Sequence, residues 1–94
     1  MYDNHILSIL AEAGQNGLPI RKIARHVHGC VNGMFEPVSL ESVHAEVSQY
    51  LHRNSRRGDS VIERMQKKGY YRLNMNSGVA REQLLVFQSH DTTN

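Results

Sequence analysis

The sequence predicts a small α+β domain, on three observations. Three amphipathic segments with helical spacing lie before Asn54, two strand-like segments lie between Val61 and Met75, and a basic Lys67-Lys68-Gly69 turn joins those two strands. At 94 residues the chain has the size of one domain, and 39% hydrophobic content can bury a small core. With 21% charged residues and no long apolar run, a membrane span is not expected. Met1-Tyr2-Asp3-Asn4-His5 does not begin as a secretory signal does, so a cytoplasmic protein is expected, nucleoid-associated if bacterial. The lone cysteine, Cys30, excludes an internal disulfide and a four-cysteine zinc site.

The first helix is expected from Asp3, its N-cap, to Gly14, with Ile6, Leu7, Ile9, Leu10 and Ala13 as the buried stripe. Gln15-Asn16-Gly17 reads as a turn, and Leu18-Pro19-Ile20 as no more than a stub of strand. Helix 2 runs from about Pro19 to about His28. Its Ile20, Ile23, Ala24 and Val27 face inward, while Arg21, Lys22, Arg25 and His26 face outward. Gly29 to Pro37 reads as a loop.

Ser39 is the expected N-cap of helix 3, Leu40 to about Arg53, whose core stripe is Val43, Val47, Tyr50 and Leu51. The opposite face carries Glu41, Ala45, Ser48, Gln49 and His52, with Arg53 on its edge. These side chains are short or hydrogen-bonding, which suits a contact surface. Strands are expected at Val61–Gln66 and Tyr70–Met75, with Gln66 opposite Tyr70 and Val61 opposite Met75. In that register Arg64, Arg72 and Tyr70 point outward, and Gly69 supplies the left-handed residue of a three-residue loop. Residues 1–76 thus form the domain. Residues 77–94 form a C-terminal tail with a short fourth helix at 79–87, and Ser89 to Asn94 are expected to be disordered.

Charge is segregated along the chain. Seven basic and two acidic residues fall between Arg53 and Arg72, and Arg21, Lys22 and Arg25 form a second basic cluster. Elsewhere Arg81 stands against seven acids, so the net charge of +2 conceals the asymmetry. A polyanion-binding face needs this segregation, although basic clusters also serve simply to solvate turns.

Three short helices followed by a basic hairpin make the layout of a winged helix-turn-helix: three helices plus a C-terminal β-hairpin wing, with the short fourth helix appended. In that layout helix 3 enters the major groove, helix 2 crosses the backbone and the wing tip reaches phosphate or the minor groove. The stretch ILSILAEAGQNGLPIRKIARHV resembles the opening of the HARE-type winged helix (HARE-HTH) family, and SLESVHAEVSQYLHRNSRRGDSVIERMQKKGYYRL is similar to its second half. Gly14, Pro19, Ile23, Val43, Gly69, Tyr71 and Leu73 occupy recurrent positions, over about residues 3 to 75. The resemblance implies a DNA-binding module of the kind found in restriction enzymes, chromatin factors and the delta subunit of bacterial RNA polymerase. This chain departs from the pattern at Lys22, where an acid is common, by an extra residue in the first turn, and by Glu41 on the reading face.

The function expected is therefore double-stranded DNA binding, in transcription regulation or in DNA modification and restriction. Ser48, Gln49 and His52 are the base-reading candidates, since Gln can pair with adenine and Ser can donate or accept. Arg21, Lys22, Arg25, Arg53, Arg56, Arg57, Lys67 and Lys68 are the phosphate candidates. The alternative is a winged helix that docks a protein, or a homodimer, through helix 3 or the C-terminal segment; Glu41, Glu46 and the modest net charge favour it. His26 and Cys30, joined by His44 or His52, form too poor a set for a metal site, so no metal or cofactor is expected. Cys30 has no triad spacing, reads as a small half-buried hydrophobe, and leaves no enzyme expected.

Overall fold

A computed structural model describes residues 2–32 and 37–92. Its architecture is α+β: among the described residues, four helices pack around a three-stranded antiparallel sheet. Helix α1 spans Asp3–Ala13 and ends at Gly14, whose φ of 68° closes the last turn with a hydrogen bond from its N–H to the Leu10 carbonyl. Asp3 is not the cap. Tyr2 holds that position without a side-chain bond, and Asp3 lies in the first helical turn, where a carboxylate meets the positive end of the helix dipole. A single 3-10 turn, Gly14–Asn16, leads through Gly17 into β1, Leu18–Pro19.

Helix α2, Ile20–Val31, starts one residue later than expected because Pro19 is its extended N-cap. It also runs past His28 and takes Gly29 and Cys30 out of the predicted loop. Two side chains secure this end: Asn32 Oδ1 accepts from Val38 N at 3.0 Å, and His28 Nε2 lies 2.8 Å from the Val38 carbonyl, to which it donates. The rest of the predicted loop, residues 33–36, lies outside the described residues. Cys30 is exposed, not half-buried, because the extra helical turn carries it to the solvent side.

Helix α3 is Leu40–Arg53 as expected, with Ser39 Oγ accepting from Ser42 N at 3.1 Å. Val43, Val47 and Leu51 are fully buried, and Tyr50 is half-buried at the edge of the stripe.

The strands are shorter than expected, β2 being Ile62–Arg64 and β3 Tyr70–Leu73, in the order β1-β3-β2. Their register differs by one residue: Ile62 pairs with Leu73, Glu63 with Arg72 and Arg64 with Tyr71. A one-residue slip turns a strand over, and the reason is in the side chains. The expected register set Ile62 against Asn74; the observed one buries Ile62 against Leu73 and places Glu63 opposite Arg72, 2.8 Å apart, on the outer face. Arg64 therefore stands opposite Tyr71 rather than beside Arg72, and is exposed at the end of its strand. The loop is four residues, Gln66 to Gly69, closed by Met65 N donating to the Tyr70 carbonyl, with Gly69 at φ 83°. Asn74, 2% exposed, donates from Nδ2 to the Gly58 and Ser60 carbonyls at 2.7 and 2.8 Å and so organises the segment before β2.

Helix α4, Gly78–Thr92, is longer than the expected 79–87 and takes in Ser89 to Thr92, where disorder is expected; residues 93–94 lie outside the described residues. Ser77 Oγ caps it by accepting from Ala80 N at 3.2 Å. Ala80 is fully buried, Leu84 and Phe87 pack partly against the core, and α4 lies along α1.

Candidate nucleic-acid interface

Strand β1 places the basic hairpin tip. Leu18 and Pro19 pair with Tyr71 and Tyr70, and the next residue, Ile20, donates its N–H to the Gly69 carbonyl at 3.1 Å. The turn of the hairpin is thereby fastened to the first turn of α2. Ile20, Arg64, Met65, Gln66 and Lys68 line an open groove of about 480 Å³ at this junction. Arg21 and Lys22, exposed, follow Ile20 directly. Lys67 Nζ sits 4.5 Å from the centre of the Tyr70 ring, which holds the lysine at the tip by cation–π attraction. Arg25 is exposed one turn further along α2.

On its other side Arg21 borders α3. It shares a groove of about 650 Å³ with Ser39, Leu40, Glu41, His44 and Ala45, so the start of α2 and the N-terminal half of α3 form one surface. Of the base-reading candidates, His52 is exposed and Ser48 half-buried, its Oγ 3.5 Å from His44 Nδ1. Both continue the row Glu41, Ala45, Ser48, His52 along the outer face of α3.

Gln49 is exposed but belongs to a different groove, of about 270 Å³, between α3 and the start of α1. Tyr2, Asp3, Glu46, Tyr50 and Arg53 also line it. Burial raises the Tyr50 phenol above its usual pKa, and the Asp3 carboxylate pushes the same way by opposing a second negative charge.

The eight phosphate candidates thus divide. Arg21, Lys22 and Arg25 lie on α2 and Lys67 and Lys68 on the hairpin turn fastened to its start, and of these Arg21 borders the N-terminal half of α3. Arg53 lies at the other end of that 14-residue helix, some ~20 Å away at 1.5 Å per residue. Arg56 and Arg57 are exposed in the segment that follows. Arg57 Nε lies 3.8 Å from Asp59 Oδ1 with both side chains largely in solvent, a weak pairing that leaves the guanidinium accessible. Arg72 is held by Glu63 and by the Gln15 carbonyl, so it belongs to the scaffold.

Sequence reasoning left Arg64, Glu41, His44 and Ala45 out of the candidate set, although the structure places them in the two grooves flanking Arg21 and the hairpin tip. For Glu41, His44 and Ala45 the expected helix-turn-helix layout offered a signal, since in that layout contacts concentrate at the N-terminal end of the third helix. His26 and Cys30 are exposed on α2, and among the described residues no three metal-ligating side chains come together. No helix among the described residues is long and apolar enough to cross a membrane. Comparison with protein-family models, with curated proteins and with solved structures finds no match to this chain.

Proposed function

We propose that this chain is a winged helix-turn-helix domain, of the HARE type it resembles, that binds double-stranded DNA and catalyses no reaction. In this reading α3 enters the major groove by its N-terminal half, while the first turn of α2 and the hairpin, as the wing, hold the backbone. The observation that carries it is the bond from Ile20 N to the Gly69 carbonyl, which fastens the hairpin tip, with Arg64 and Lys68 in the groove at the junction, to the first turn of α2, whose Arg21 borders the exposed start of α3. Cations flanking an exposed helix end suit a strongly charged duplex, since phosphate contacts position a reader and set its affinity. Transcription regulation and DNA modification or restriction are the processes such a module serves, inside the cell.

Fluorescence anisotropy of a labelled random-sequence duplex, titrated from low to high salt, tests the reading. Binding should weaken with a log-log slope of several units, and Lys67→Ala with Lys68→Ala should lower that slope by about 2, at ~0.9 per phosphate contact. Arg56→Ala with Arg57→Ala reports separately on the cluster beyond α3. An absence of binding at low salt would refute the proposal.

A second reading, docking of a protein partner or a second copy, has an observation of its own. The outer face of α4 exposes Val79, Leu85 and Val86 by 59, 62 and 51%, more apolar surface than α3 presents through Leu40 alone at 41%. The C-terminal segment, rather than α3, is where that reading draws its support. Sedimentation of the free protein across a concentration series tests the self-association form of it.

A further inference from the structure

We propose that Glu41 is a specificity-determining residue which makes this chain select cytosine at one position of its DNA site. The inference rests on the DNA-binding reading above and deepens it. Glu41 lies in the first turn of α3, is exposed, and shares the groove with Arg21, His44 and Ala45. Among the described residues no hydrogen bond or ion pair engages its carboxylate. A carboxylate set beside phosphates weakens binding unless it meets a donor, so Glu41, which shares its groove with one cation, Arg21, is matched here to a donor on a base.

The major groove offers two such donors, the amino groups of cytosine N4 and adenine N6. Adenine N6 stands next to the N7 acceptor, which repels an acceptor-only group, whereas cytosine N4 has a C–H neighbour on that side. An ionised carboxylate therefore discriminates for cytosine. Ala45, one turn further on the same row, adds no bulk that would keep α3 from the groove floor. Arg21 at the groove margin supplies the phosphate contact that keeps Glu41 in register.

The test is selection of binding sites from a randomised duplex pool by the wild-type chain, by Glu41→Ala and by Glu41→Gln, followed by titration of the selected duplex and its single-base variants. The wild type should enrich one invariant cytosine. Glu41→Ala should lose roughly tenfold preference at that position, within the range of one good base contact, while binding a random duplex as well or better. Glu41→Gln, which offers a donor and an acceptor together, should move the preference toward adenine. Random-duplex binding with an unchanged cytosine preference in Glu41→Ala, or with no cytosine selected by the wild type, overturns this inference and leaves the DNA-binding reading standing. Failure of the wild type to bind the random duplex overturns both.

Discussion

Replacing Gly17 by alanine should destabilise the fold far more than the same change at Gly14, and the comparison isolates one steric contact. Both glycines have positive φ with extended ψ, 68° and −153° at Gly14 and 66° and −175° at Gly17, a region that only glycine occupies comfortably. Alanine in either place carries a strain of about 2 kcal/mol. The surroundings then differ. A Cβ on Gly14 would meet nothing within 4 Å, whereas one on Gly17 would lie 2.6 Å from the Tyr71 carbonyl oxygen and would also strike Met65 Sδ. The sulfur is the end of a flexible side chain and can move; the carbonyl belongs to β3 and is held by its pairing with Leu18. Forcing that overlap adds about 2 kcal/mol, so Gly17→Ala should cost ~4 kcal/mol against ~2 for Gly14→Ala. At roughly 4–8 °C per kcal/mol for a domain of this size, the two variants should melt about 10 °C apart. Urea unfolding of both variants measures the difference directly. A Gly17→Ala variant as stable as Gly14→Ala would show that the Tyr71 carbonyl is no obstacle. Because β1 leads straight into the Ile20–Gly69 bond, Gly17→Ala should also loosen the hairpin tip from α2 and weaken DNA binding beyond what its fraction unfolded explains.

Asn74→Ala should cost about 2–3 kcal/mol in urea unfolding, because it strands the Gly58 and Ser60 carbonyls and removes the acceptor of the Asn76 N–H; a loss within experimental error would show that water replaces the amide. Tyr50 has its pKa raised in the folded state by burial and by Asp3. Its contribution to stability is therefore complete below the unfolded phenol's pKa near ~10 and declines as pH rises through the higher folded value. Thermal unfolding between pH 9 and pH 11 should show Tyr50→Phe losing less stability than the wild type over that span, and parallel curves would refute the assignment.

Much of the scaffold was legible in residues close together in sequence. The stripe Val43, Val47, Leu51 and the cap Ser39 define α3 because helical periodicity and capping are local, and α3 has the predicted bounds. Gly14 stops α1 for the same reason. The end of α2 was not legible, since it depends on His28 and Asn32 reaching Val38 across the following loop. The same limit applies to α4: Ala80, Leu84 and Phe87 stand at helical spacing, but the helix, which packs on α1, reaches Thr92.

The candidate site divides in the same way. Charge segregation alone singled out the basic residues of α2 and the hairpin, because residue type and order suffice to count charge. Which cations stand together was decided by β1, whose two residues tie the hairpin to α2 and leave Arg53 at the far end of α3. The strand register is the sharpest case. Local alternation allowed Val61, Glu63 and Met65 to share the face of Tyr71 and Leu73, yet the tertiary structure buries Ile62 against Leu73 and sets Glu63 against Arg72. By itself, then, the sequence determined the bounds of α3, the stop of α1 at Gly14 and the places where positive charge concentrates, all properties of near neighbours along the chain. Tertiary structure decided the pairing, because a period of two fits either face equally well until a core exists to choose between them.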